Sequence, residues 1–265
     1  MLELALETTP NRLDPAFAVD VAEGEICALV FDGLVGFSPD GVLSPALARA
    51  WETNDGQRYT FHLDTRARFA NGRSVTAGDV RSSFERVLAP GTASPRSWVL
   101  ERIRGAAGFR SGETRAVPGI ETIDDSTLVI ELEAPFAPFL SMLALPAARV
   151  VDVASVGVGD VPVGSGPWVI SEWVRGDRVT LTPNPHHARR ARSVAGVRYR
   201  VIPEPFTRIA EFESGTIDVL EIPDAEVPRF LADTERSSRL LRRAELRVFY
   251  VGLNTPRYPD PRIRR

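Results

Sequence analysis

Tyr59-Thr60-Phe61-His62-Leu63, followed by Phe69, Asn71-Gly72, Thr76-Ala77, Asp79-Val80 and Ser83-Phe84, is the stretch that decides how this chain is read. Tyr59, Phe61 and Leu63 alternate with Thr60 and His62, the two-residue period of a half-buried strand. Asn54-Asp55-Gly56 before it is a hairpin-type turn, and Asn71-Gly72 is a second turn of that kind. Thr76 stands three residues before Asp79, a variant of the capping box in which a hydroxyl and an acidic side chain satisfy each other's backbone N–H. Val80, Phe84, Val87 and Leu88 then fall at i, i+4, i+7 and i+8, which predicts a helix with one apolar face. Pro90-Gly91 ends it.

Outward from this block the signals keep alternating between strand and helix, so the chain is predicted to be α/β. Leu2, Leu4 and Leu6 predict an opening strand, broken by Leu13-Asp14-Pro15. Ile26, Leu29 and Val30 lie at helical spacing within 21–31, with Gly33 as a stop. Ser38-Pro39-Asp40-Gly41 is a turn. A second helix is expected from Ser97 to about Ala107, a strand through Leu128, Ile130 and Leu132, and a short helix from Pro135 to Leu143. Residues 152–163 show no period. Gly164-Ser165-Gly166-Pro167-Trp168 marks a boundary where the backbone bends in a way side chains would obstruct. Beyond it, Trp168–Trp173 and Val179–Leu181 read as a strand pair around Arg175-Gly176-Asp177. A helix through Ile209 and Phe212 should end near Gly215. A short strand at Ile217–Leu220, a helix capped by Asp224 and running to Ala232, and a strand at Val248–Leu253 complete the reading.

Composition narrows the function classes. The 265 residues are 43% hydrophobic and 25% charged, ordinary for a soluble globular chain long enough for one large or two medium domains. The net charge of -3 points to neither nucleic acid nor an anionic membrane surface. Arginine far outnumbers lysine, which together with abundant Ala and Val reads as coding bias. Cys27 is the one cysteine, so a disulfide framework and a Cys-based zinc cluster are excluded, and its apolar helical setting reads as packing. Met1-Leu2-Glu3-Leu4-Ala5-Leu6 lacks a basic region, a long apolar run and a cleavage site, so no signal peptide is expected in this chain. No stretch approaches the ~20 apolar residues of a membrane span.

No catalytic set holds together. His186-His187 follow Asn184-Pro185 in a turn; adjacent side chains diverge, and the pair reads as exposed loop histidines rather than metal ligands. His62 lies on the polar phase of its strand. Ser165 lacks the full nucleophile elbow of a hydrolase, and the Gly-rich 157–166 segment lacks the Lys of a phosphate loop. Asp124-Asp125 reads as a turn. The expectation is therefore no enzyme, no cofactor and no structural metal.

Several segments, in order, resemble one family. They are Leu13-Asp14-Pro15; Asp32-Gly33-Leu34-Val35; Pro45-Ala46-Leu47-Ala48 with Trp51-Glu52; and the Tyr59 to Phe84 block. Next come Pro135-Phe136-Ala137-Pro138-Phe139-Leu140, Gly164-Ser165-Gly166-Pro167-Trp168, Glu172-Trp173, Arg175-Gly176-Asp177 and Asn184-Pro185. Ser214-Gly215-Thr216-Ile217-Asp218 and Gly252-Leu253-Asn254-Thr255 close the set. Together they resemble the peptide, dipeptide and nickel class (family 5 type) of ABC-transporter solute-binding proteins. His186-His187-Ala188 depart from the pattern, where the family usually carries aromatics.

The resemblance implies a periplasmic-binding-protein-like fold, type II, class C. Residues 1–42 plus 163–265 would form a discontinuous first lobe, and residues 43–162 an inserted α/β subdomain. The chain stops after a loop, so the family's second lobe is expected to be missing, as is its export signal. The implied function is the extracytoplasmic solute-binding component of an ABC importer, periplasmic or at the cell surface. It would capture peptides or similar small solutes and deliver them to the permease subunits. Nucleic acid is not an expected partner, and membrane contact would come only through the transporter or a lipid anchor absent from this chain. A ligand-sensing domain of a regulator with the same fold is the alternative. The resemblance points to Ala18, Val19 and Asp20 after the Leu-Asp-Pro motif, and to Ser165, Trp168 and Asn254 near the crossover between lobes, as ligand-binding residues. Each has a plainer reading: Asp20 as a helix cap, Trp168 as core, Asn254 as closing a turn. One lobe alone is expected to bind solute weakly and to associate through its open face.

Overall fold

The Thr76 capping box forms as its spacing predicts: the Thr76 hydroxyl accepts from the Asp79 N–H at 3.3 Å and Asp79 Oδ2 accepts from the Thr76 N–H at 2.8 Å. The structure, a computed structural model, describes residues 1–188, 194–242, 253, 255–257, 259–260 and 262. They form two compact units, residues 1–220 and 221–265.

In chain order the first unit contains β1 (Leu2–Leu6), α1 (Val21–Val30), β2 (Val35–Phe37), β3 (Leu43–Pro45), β4 (Ala48–Glu52), β5 (Arg58–Leu63) and α2 (Ala77–Leu88). Then follow α3 (Ala106–Ser111), β6 (Ile120–Asp124), β7 (Thr127–Glu131), α4 (Phe139–Met142), β8 (Trp168–Val174), β9 (Arg178–Pro183), β10 (Val197–Val201) and α5 (Pro205–Glu213). One sheet has the order β4-β5-β7-β6 and is antiparallel throughout. The other has the order β1-β10-β9-β8, with β1 parallel to β10 and the other pairs antiparallel. β2 and β3 make a separate antiparallel pair.

Each sheet has its own core. Tyr59, Phe61 and Leu63 of β5 are buried with Val80, Phe84, Val87 and Leu88 of α2, and the Tyr59 ring lies 5.1 Å from that of Phe139. This core draws almost wholly on residues 47–150, joined by Ala16, Leu34 and Val35. The second core packs α1, through Ala22, Ile26, Cys27 and Val30, with Val179, Leu181, Val197 and Tyr199 of the β1-β10-β9-β8 sheet. Cys27 is fully buried there, and burial pushes its thiol up to about 12, which leaves little thiolate for chemistry at neutral pH. Arg208 of α5, itself buried, ties that sheet's edge together by donating to the carbonyls of Ile202 and Pro203 at 2.9 and 2.8 Å and to Glu7 at 2.6 Å.

Four predicted elements differ. The helix expected over 135–143 shrinks to α4, Phe139–Met142, which begins after Pro138 and not at Pro135. The helix expected over 97–107 is instead a 3-10 turn at Ser97–Val99, then a break, then α3. Gly105 takes a left-handed φ of 77°, and Ile103 and Arg104 leave helical geometry to pair with Leu132 and Glu131 beside β7. Residues 217–220 form no strand; one backbone pair with β1 replaces it, Asp218 N–H donating to Glu3 O at 2.8 Å while the Asp218 carboxylate accepts from the Glu3 N–H at 2.7 Å. In the second unit Asp224 does not cap a helix: it lies in a 3-10 turn, Asp224–Glu226, with no side-chain cap, and α6 (Val227–Ala232) begins after it. α7 (Thr234–Ser237) is capped by Asp233, which accepts from the Glu235 and Arg236 N–H groups. The strand predicted at 248–253 falls outside the described residues, apart from Leu253. Among the described residues no helix is long and apolar enough to cross a membrane.

Candidate functional site

The loop from Asn11 to Asp20 is built around one buried carboxylate. Glu23, the third residue of α1, is 2% exposed. Its Oε1 accepts from the N–H groups of Asn11 and Arg12 at 3.0 and 3.1 Å, and its Oε2 from those of Val19 and Asp20 at 3.0 and 3.3 Å. Hydrogen bonds to an ionised acceptor are the strong kind, and here they close both ends of the loop onto the helix. Asp20 caps α1: its Oδ1 accepts from the Ala22 N–H at 2.9 Å and from the Thr8 hydroxyl at 2.7 Å.

The other side of the loop is held by the region around α2. Asp14 pairs with Arg86, whose Nη1 lies 3.0 Å from Oδ1, and the same oxygen accepts from the Ala16 N–H at 3.0 Å. Ser94 Oγ donates to the Ala16 carbonyl at 2.5 Å, and Arg96 Nη2 to the Val19 carbonyl at 2.9 Å. Arg12 stacks over the Phe17 ring at 4.5 Å. Both cores thus fix the loop, and its conformation is set in advance of any ligand.

Beside it opens a cavity of about 280 Å³. Ala18, Val19 and Asp20 line it together with Arg96, Trp98 and Leu145. Trp98, Val19 and Val21 keep 42%, 52% and 86% of their surface in water, an unusual concentration of exposed apolar groups beside a concavity. Such a site offers van der Waals surface, one guanidinium and one carboxylate, and holds no nucleophile–base pair.

Ser165 lines a different cavity, of about 230 Å³, with Asp32, Arg68 and His187. Its hydroxyl is buried and finds no partner among the described residues. Ser165→Ala is therefore expected to leave stability unchanged or raise it by up to about 1 kcal/mol, because an unpaired buried hydroxyl is removed. Urea denaturation checks this, and a loss of more than that amount would mean the hydroxyl is bonded in solution. His187 is not an exposed loop residue as predicted: its Nε2 stands 3.6 Å from Asp32 Oδ2. Asn184 is fully buried, donating from its amide to the Gly166 carbonyl at 2.8 Å and accepting from the His186 N–H at 2.9 Å. Trp168 opens β8 and packs on the second core, so it lines neither cavity. Asn254 lies outside the described residues.

Of the six residues singled out from the sequence, the structure brings Ala18, Val19 and Asp20 together. Glu23, Arg96 and Trp98 were not among them. Glu23 had a signal, since Asp20-x-x-Glu23 is a capping-box spacing. Arg96 and Trp98 had none, because they meet the loop across 77 positions of sequence.

The chain is 30% identical over 274 residues to the periplasmic murein peptide-binding protein MppA of Escherichia coli (strain K12), covering 98% of this chain and 50% of that protein. It is 29% identical over 268 residues to the probable deoxycholate-binding periplasmic protein YgiS of the same organism, covering 97% and 50%. Among solved structures, that of the Escherichia coli murein tripeptide binding protein MppA superposes with a TM-score of 0.81 at 30% identity, over 88% of this chain and 48% of that one. The chain spans about half the length of the curated relatives it matches. These relatives are binding proteins rather than enzymes. Residues 42–265 match the bacterial extracellular solute-binding proteins, family 5 Middle, and the chain belongs to that family.

Proposed function

We propose that this chain supplies one wall of the solute cleft of an extracytoplasmic binding protein serving an ABC importer, and that the solute rests in the cavity beside Ala18, Val19, Asp20 and Trp98. The observation that carries this is the preorganised loop: seven hydrogen bonds from Glu23, Asp14, Ser94 and Arg96 hold its backbone beside exposed apolar surface. A binding site gains affinity when its geometry is fixed beforehand, and a core-like network under an otherwise open surface suits that task. The relatives' names support the setting: a periplasmic protein that binds murein peptide and one described as binding deoxycholate. Peptides or similar small solutes are the class proposed here, permease subunits the partner, and the periplasm or cell surface the location. The first core draws almost wholly on residues 47–150 and the second chiefly on residues 6–31 and 179–199, which supports reading 43–162 as a subdomain inserted between 1–42 and the strands β8–β10.

A cavity open on one side buries only part of a ligand, so this chain by itself should bind weakly. Titration with pooled di- to pentapeptides, followed by amide NMR, is expected to move resonances of residues 18–21 and 96–99. Dissociation constants should be weaker than about 0.1 mM, since a cavity open on one side encloses only part of the solute. Shifts confined to the Ser165 cavity would overturn the placement, and binding tighter than that limit would overturn the one-wall reading.

A further inference from the structure

Two charged residues line the cavity beside the loop, Asp20 and Arg96, and they are not equally available. Asp20 Oδ1 already accepts two hydrogen bonds, from the α1 backbone and from Thr8. Its charge sits at a helix N-terminus, where the partial positive charge of the first-turn N–H groups offsets it. The Arg96 side chain has one hydrogen bond, from Nη2 to the Val19 carbonyl, and among the described residues no carboxylate pairs with it. That one side-chain bond orients the guanidinium and, among the described residues, leaves Nε and Nη1 without a protein acceptor. The walls around it are apolar: Val19, Val21, Trp98, Val99, Leu145 and Pro146.

From this asymmetry we infer that the cavity selects a hydrophobic carboxylate, its apolar group against Trp98 and Leu145 and its carboxylate on Arg96. The inference rests on the cavity being the solute site. A guanidinium suits the role because its planar donors match a carboxylate and its hydration is weaker than an ammonium's, so less is lost when an apolar ligand displaces water around it. A cationic ligand would place like charge beside Arg96 and meet an Asp20 carboxylate whose charge is already offset by the α1 N-terminus and by two hydrogen bonds on Oδ1. A neutral ligand would fill the apolar walls and leave the guanidinium's free donors under a dry group.

Two sources share this chemistry, the C-terminus of a peptide ending in an apolar residue and a free alkyl acid. The test is the indole N–H resonance of Trp98 in the intact chain, assigned by its absence in Trp98→Phe. It is followed during titration with N-acetyl-leucine (an anion), N-acetyl-leucinamide (neutral), leucinamide (a cation) and octanoate (an anion without a peptide group). N-acetyl-leucine is expected to bind at least about fivefold more tightly than its amide, and leucinamide more weakly than either, the range that charge-assisted hydrogen bonds supply. Arg96→Gln is expected to erase the preference for N-acetyl-leucine over its amide; because it also removes the bond to the Val19 carbonyl, both affinities should fall, and their ratio is the readout; Arg96→Lys should keep part of the preference. Octanoate binding as well as N-acetyl-leucine supports the carboxylate reading with a free acid as source; octanoate binding worse supports it with a peptide terminus. Equal affinity for anion and amide, or a preference for leucinamide, overturns the inference and leaves the cavity as a solute site. No saturable shift of Trp98 with any of the four overturns both.

Discussion

Replacing Gly164 by Ala is expected to destabilise the first unit by ~3 kcal/mol or more, the upper range for forcing extra atoms into a packed site. A Cβ on Gly164 would stand 2.1 Å from the Val30 carbonyl oxygen and 2.6 Å from Phe31 Cδ1. The obstacle is backbone at the end of α1, and it cannot swing aside as a side chain could. The segment is also pinned on both sides: the Gly166 N–H donates to that same Val30 oxygen at 2.9 Å, and the Gly164 carbonyl accepts from the Ala70 N–H at 2.9 Å. Relief would therefore break hydrogen bonds to α1 and to the β5–α2 loop together. Because a domain's whole stability is of order 5–15 kcal/mol, this one methyl group removes a large share of it. Gly91→Ala is the control, since a Cβ there meets nothing within 4 Å, and should change stability by no more than about 0.5 kcal/mol. Urea unfolding of both variants checks the pair. A Gly164→Ala midpoint as close to the parent's as that of the control would show that the segment is not seated against Val30.

The same segment shows what could be read in advance and what could not. Gly164 and Gly166 were legible as a place where side chains would obstruct, because glycine before proline signals an unusual backbone; which backbone they approach, the end of α1 more than 130 positions earlier, was not. The strands and helices that followed a clean period, β5 and α2 above all, stand where the pattern puts them. The failures are tertiary overrides. Residues 97–107 carry helical spacing, but Gly105 and the pull of an unsatisfied strand edge at Glu131 and Leu132 draw the chain out of helix. At 217–220 the alternation is present, yet the Asp218 carboxylate takes the Glu3 N–H that a strand partner would have used. In the candidate site, the Leu-Asp-Pro loop was legible only through resemblance to a family, since Ala18 and Val19 carry no chemical mark of their own. The residues that make it a site are contributed from afar, and composition records nothing of their approach.

Glu23 is the position where the loop itself can be tested, and Glu23→Ala is expected to cost about 3 kcal/mol, more than removing the cap at Asp20. The carboxylate accepts from four backbone N–H groups, of Asn11, Arg12, Val19 and Asp20. Each such bond to a charged acceptor contributes about 1.5–3 kcal/mol, and a buried donor left without a partner costs about 1–3 kcal/mol, so even with water reaching some of the four the loss stays large. Asp20→Ala removes a single capping acceptor and should cost about 1 kcal/mol. Glu23→Gln separates charge from shape: its carbonyl oxygen can serve one pair of N–H groups, but its amide donors then face the other pair, so it should recover no more than half of the loss. The readout that isolates the loop is amide exchange. Glu23→Ala should raise exchange at Asn11, Arg12, Val19 and Asp20 well before it affects Ile26 or Val30, deeper in α1. It should also abolish solute-induced shifts at residues 18–21, because a loop that samples many conformations must be ordered again at each binding event. If Asp20→Ala proved as costly as Glu23→Ala, or if exchange rose evenly along α1, the loop would be held by its helix cap and not by the buried carboxylate beneath it.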